Sequence, residues 1–71
     1  MFNFTHALRH TETGGYYTGE AGDHWVAPPS LNHPPYTYTE KGAESKLATF
    51  QSMGFNFTIV RCDLIRYNLK G

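Results

Sequence analysis

Seventy-one residues and 8.1 kDa make one small domain, and a chain of that size hides only about 60% of the surface its unfolded form exposes, so its core is thin. Six basic against six acidic residues, with a pI near 6.9, argue against a polyanion mimic and against a DNA-binding domain held by phosphate neutralisation. Five Phe, five Tyr and one Trp outnumber the nine Leu, Ile and Val, so rings that bury roughly 150–250 Å² each have to compensate for the short chain.

In chain order, the first strand starts at Phe2-Asn3-Phe4-Thr5. Its alternation sets His6, Leu8 and His10 with the two Phe, while Thr5, Ala7 and Arg9 point to the other face. Gly14-Gly15 marks a turn, Tyr16-Tyr17-Thr18 a short strand, Gly19 to Asp23 a second turn, and His24-Trp25-Val26-Ala27 another short strand. Residues 28–35 hold four prolines in eight positions. Proline removes an amide donor and fixes φ, so this stretch is an extended connector of polyproline II character. Neither side of it folds alone, which leaves residues 1–71 as a single domain. Tyr36-Thr37-Tyr38 reads as a strand running into a helix.

That helix is the clearest element. Thr37-Tyr38-Thr39-Glu40 has the spacing of a capping box, with Thr39 the alternative N-cap one step later. Ala43, Leu47 and Phe50 recur at helical spacing with Ala48 and Met53 flanking the stripe, and Lys41, Glu44, Ser45, Thr49 and Ser52 cover the other side. Gly42 is awkward this early in a helix, and Gly54 suits the residue just past its end. The helix is therefore expected over about 40–53. Phe55 to Cys62 is the best strand, with Phe55, Phe57 and Ile59 on one face and a switch of apolar register at Val60, Cys62 and Leu64. The switch implies either a bulge or a strand covered on both sides. Cys62 itself reads as a buried strand hydrophobe, and Asp63 to Asn68 is open between a continued strand and a new one. The fold class expected from these elements is α+β: a small antiparallel-dominated sheet of about four to five strands with one helix packed on one face. Were Tyr36–Tyr38 and Phe55–Cys62 neighbours, the helix between them would make a right-handed crossover.

The candidates for chemistry are few. His6 and His10, four apart, would share a zinc ion on a helix, but in a strand they sit about 13 Å apart. His24 and His33 lie in turn-rich segments without a partner at ligand spacing. A His-based metal- or ligand-binding protein is thus the alternative reading, and no cofactor is expected. Cys62 has no adjacent His or Gly-rich elbow, no Ser sits in a nucleophile motif, and Glu40 and Glu44 read as a solvated helix face, so the chain is not read as an enzyme. No apolar run approaches the roughly 20 residues that cross a bilayer, and Met1 to His6 lacks the pattern of a secretory leader. With one cysteine, these point to a reducing cytoplasm and no membrane partner.

Surface recognition is better supported. Tyr16, Tyr17, Trp25, Tyr36, Tyr38 and Tyr67 are amphipathic rings of the type enriched at interface hot spots, and one helix on a small sheet does not bury eleven aromatics. Charge is also oriented: residues 1–35 carry Arg9 against Glu12, Glu20 and Asp23, whereas residues 36–71 carry Lys41, Lys46, Arg61, Arg66 and Lys70 against Glu40, Glu44 and Asp63. Arg61, Arg66 and Lys70 would form a basic strip along the last strand. The partner-binding candidates are accordingly Tyr16, Tyr17, His24, Trp25, Tyr36, Tyr38, Arg61, Arg66, Tyr67 and Lys70.

Tyr36-Thr37-Tyr38-Thr39-Glu40 through Gly54-Phe55-Asn56-Phe57-Thr58-Ile59-Val60-Arg61 resembles the small host-takeover proteins of tailed bacteriophages, among them RNA-polymerase inhibitors and anti-CRISPR proteins. They share a strand, a capped Ala-rich helix and a Gly-Phe-led strand. The resemblance covers the C-terminal half and implies a non-enzymatic inhibitor, acting in the host cytoplasm, that occludes a bacterial protein or ribonucleoprotein complex by stoichiometric binding. Direct nucleic-acid binding is not expected, because three basic residues hold few phosphates. A homodimer, or a structural subunit that pairs sheet edges, is the further option.

Overall fold

A computed structural model describes residues 4–67. The fold is α+β, with a four-stranded antiparallel sheet in the order β3-β2-β1-β4 and one helix. The strands are β1 (His6–His10), β2 (Tyr16–Tyr17), β3 (Val26–Ala27) and β4 (Phe57–Arg61), and the helix is α1 (Glu40–Ser52).

The helix starts and stops where its sequence says. Of the two possible caps, Thr39 is the one used. Its hydroxyl accepts the Gly42 N–H at 3.1 Å. Gly42 also explains itself here, since a Cβ at that position would meet the Thr39 hydroxyl at 3.1 Å. At the other end Gly54 takes φ +88°, the Phe55 N–H bonds the Phe50 carbonyl, and the Gly54 N–H bonds the Gln51 carbonyl, both at 3.0 Å. This is the Schellman arrangement, whose companion apolar contact is the Phe50–Phe55 ring pair at 6.0 Å. The chain leaves the helix already turned toward β4.

β1 is the axis of the sheet. Five residue pairs join it to β4 without a bulge, from His6↔Arg61 to His10↔Phe57, and Arg9↔Tyr16 sets the β2 register. The apolar switch in β4 therefore reflects a strand covered on both sides. On the front face Leu8, Phe50 and Phe57 form a buried cluster, with Leu47, Ile59, Tyr38, Tyr17, Trp25 and Val26 packed against it. On the back face Ala7, Tyr16 and Ile65 form a second, smaller one with Val60 and Cys62.

Several expectations need correction. Tyr36–Tyr38 is not a strand: only Tyr38 bridges, to His6, through N–H···O bonds of 3.0 and 2.7 Å. Because His6 spends both backbone groups on Tyr38, that bridge lies on the edge of β1 opposite β4. The two segments flanking α1 are thus separated by β1 rather than adjacent. His24 closes a short 3₁₀ turn (Gly22–His24), leaving only Val26–Ala27 as strand. Cys62 opens another 3₁₀ turn (Cys62–Leu64), after which Ile65 folds back as the lid of the back face. Ala48 and Met53 are exposed, since Ala43, Leu47 and Phe50 already fill the front groove. Phe2 and Asn3 lie outside the described residues.

Among the described residues Leu8 is the largest side chain that is fully enclosed. Leu8→Ala is expected to cost about 2–5 kcal/mol, a large share of the stability of a small domain. A urea titration followed by Trp25 fluorescence measures it.

Candidate functional site

One helix is about 10–12 Å across, whereas four strands spaced about 4.8 Å apart span more than that. Helix α1 packs over β1 and β4. The front of β2 and β3 is left to side chains, and the chain covers it with rings. Tyr38, Tyr36, Tyr17, Trp25 and Phe55 follow one another at centroid separations of 4.9, 6.1, 6.4 and 5.1 Å. Tyr17, Trp25 and Tyr38 are half-buried, while Tyr36 and Phe55 are 50% and 38% exposed. The result is a band of rings along the flank of α1, anchored from beneath by Phe50 and Phe57, which stack at 4.6 Å.

The band is held from below by backbone chemistry. Tyr36 donates its N–H to the Tyr17 carbonyl at 2.8 Å. Gly19, at φ +79°, lies directly against the Tyr36 ring; a Cβ there would come within 2.5 Å of Cδ2. Thr18 is a buried polar residue in the β2–β3 connection. Its hydroxyl donates to the carbonyls of His24 (2.5 Å) and Trp25 (3.2 Å) and accepts from the Glu20 N–H at 3.1 Å. These bonds fix the turn that delivers Trp25. The Pro-rich connector is clipped to the same turn: the His33 ring stacks on His24 at 4.0 Å and 11°, and His33 Nδ1 pairs with a Glu20 carboxylate oxygen at 2.9 Å.

Among the described residues one cation lies over the band. Lys46 Nζ sits 4.9 Å from the Phe50 centroid and 5.6 Å from that of Tyr17, an attraction of the ring quadrupole for the ammonium. The Tyr38 phenol is pushed up to about 12, first by burial and then by the neighbouring Tyr17 and Tyr36 phenols. Beside the band, His10, Trp25, Val26 and Pro28 wall a hollow of about 250 Å³. Its size fits a single side chain rather than a drug-sized ligand, which occupies roughly 300–1,000 Å³.

Of the sequence-derived candidates, Tyr17, Trp25, Tyr36 and Tyr38 come together, with His24 on the supporting turn. Tyr16 does not join them: its neighbour in β2 faces front, so Tyr16 faces back and is 8% exposed within the second cluster. Arg61 is exposed and paired with Asp63 at 3.3 Å, a contact worth little in water. Arg66 and Tyr67 are exposed beyond the 3₁₀ turn, so no continuous basic strip runs along β4. Lys70 lies outside the described residues.

The four histidines separate into two sets. His6 and His10 stand at opposite ends of β1, each Nδ1 bonded to a threonine hydroxyl, Thr5 at 2.9 Å and Thr13 at 3.0 Å. His24 and His33 meet as a stack. Among the described residues no three of His, Cys, Asp or Glu converge on a point that would hold a metal ion. The Cys62 thiol is raised by burial and, secondarily, by Asp63, so it is a poor nucleophile.

Sequence reasoning passed over Lys46 and Phe55. The signal for Lys46 was its i, i+4 spacing to Phe50 on one helix face; for Phe55 it was the position two past the C-cap of a glycine-terminated helix. No protein-family model matches the chain, and neither a curated protein nor a solved structure matches it.

Gly19→Ala combines a left-handed φ with a close approach to Tyr36 and is expected to cost about 1–2 kcal/mol, read as a lowered urea midpoint. Tyr38 has a folded pKa above the ordinary value of about 10. Its stabilising share is therefore complete below pH ~10 and is lost as pH rises toward ~12. Urea midpoints across that window should fall less steeply in Tyr38→Phe than in the parent chain.

Proposed function

We propose that this chain is a non-catalytic protein-binding domain that docks through the ring band beside α1. The observation that carries the reading is the band itself: five contiguous aromatic rings left partly open because one helix covers only half of the sheet. Half-buried Tyr and Trp present apolar area at little entropic cost, since their neighbours already hold them, and this is the composition of interface hot spots. Lys46 at the band's margin adds a single positive charge that favours a partner with acidic or carbonyl groups at its rim.

The partner class follows from the resemblance of residues 36–61 to phage host-takeover and anti-CRISPR proteins. On that reading the chain is a stoichiometric inhibitor of a bacterial nucleic-acid-processing complex. The neutral charge balance fits occlusion through apolar contact better than mimicry of a polyanion.

Immobilised chain and bacterial lysate give the direct test, with Tyr36→Ala, Phe55→Ala and, as a control outside the band, Leu31→Ala. A retained complex whose affinity drops about tenfold or more in the two band variants, but not in the control, is the expected result. Its activity should fall to a floor at one equivalent of chain. Equal retention by all four proteins, or no retained complex, rejects the band as the docking surface.

A further inference from the structure

The two edges of the sheet are finished differently. β3 is two residues long and runs directly into Pro28-Pro29, a short proline-stopped edge that is a poor template for a further strand. β4 runs five residues, pairs with β1 without a bulge, and contains no Pro, Gly or Lys. Antiparallel geometry fixes where its backbone points. With His6 turned to Tyr38, the Val60 and Thr58 groups face β1, so the N–H and C=O groups of Phe57, Ile59 and Arg61 face outward. Among the described residues none bonds to them. Phe57 is buried, which centres the accessible stretch on Ile59, Val60 and Arg61.

We propose that β4 pairs antiparallel with β4 of a second copy of this chain, merging two four-stranded sheets about a two-fold axis. A closed, isologous contact of this kind removes the open edge from both copies at once. Three features favour a second copy as the occupant. The chain is electrically balanced, so two copies approach without net repulsion. A two-fold axis through Ile59 or Val60 sets Arg61 opposite Phe57 or Ile59 of the other copy and never opposite its own counterpart. Antiparallel pairing also brings opposite ends of the edge together, and both ends carry exposed apolar side chains: Phe55 before the strand and Leu64 beyond it, 38% and 70% exposed. A five-residue edge covers less than the roughly 800 Å² per partner of a standard interface, so the dimer forms in a concentration-dependent way. The edge shares Phe55 alone with the ring band, so Tyr36→Ala reads the band and Thr58→Lys reads the edge, and the two readings fail separately.

Sedimentation equilibrium between about 10 μM and about 1 mM, with amide hydrogen exchange at both ends of the range, tests the pairing. The expected result is a mass rising from 8.1 kDa toward twice that value, with the Ile59 and Arg61 amides exchanging more slowly at high concentration. Thr58→Lys places a like charge on each copy beside the edge and should weaken the dimer at least about tenfold while leaving the circular dichroism unchanged. A mass fixed at 8.1 kDa throughout, a dimer without slowed exchange at Ile59 and Arg61, or a folded Thr58→Lys that dimerises as before overturns the proposal.

Discussion

A single helix laid on four strands leaves half of one sheet face without cover, and most of what distinguishes this protein follows from how that shortfall is met. The chain has too few aliphatic side chains to close the gap, and the described residues hold no second α-helix to supply more. It uses rings. Tyr17 and Val26 rise from β2 and β3, Trp25 arrives from the turn, and Tyr36 and Tyr38 come in from the far side of the connector. Large, stiff side chains of this kind bury much area per residue ordered, which suits a domain whose stability margin is small. A ring wide enough to bridge an uncovered sheet also keeps one edge or its hydroxyl in water, so the packing solution and the proposed docking surface are the same residues.

The back face meets the opposite problem with opposite means. Ala7 and Ala27 keep that side shallow, and Tyr16 with Ile65 is enough to close it. Small residues behind and large ones in front make the sheet lopsided. Loss of Ile65 exposes little beyond Ala7 and Tyr16, whereas loss of Leu8 empties the centre of the front cluster. The ring band therefore rests on the better-filled of the two layers, and its supporting stack of Phe50 on Phe57 belongs to the helix and the central ladder rather than to the loops.

The helix was legible because its signals are local. Thr39, Gly42 and Gly54 act within a turn of the backbone they control, and the bounds found are those expected to within a residue. β1 and β4 were legible by alternation, as was the α+β class. The strand order was not, because nothing in Tyr36-Thr37-Tyr38 says that its hydrogen bonds go to His6 and leave β1 standing between it and β4. Nor was the fate of Ile65: a lone aliphatic after a polar turn has no period to reveal which face it caps. At the site, that rings would remain partly open followed from counting them. Which ones did not, since Tyr16 and Tyr17 differ only by the parity of a two-residue strand, and parity is set by the register with β1.

The central ladder joins segments from opposite ends of the described chain, with forty-six residues intervening between His10 and Phe57. The strand that organises the sheet is thus made early and has to wait for its main partner. During synthesis β1 has the narrow β2–β3 hairpin, Tyr38 and then α1 to bind, but it lacks its five-pair partner until Arg61 has left the ribosome, so part of the front face stays wet until then. Assembly is then cooperative and late, governed by closure of one long loop rather than by successive addition of local units. A polypeptide cut anywhere between these two strands leaves β1 and β4 on separate fragments, so a protease that reaches the connector severs the covalent link that brings the central ladder together.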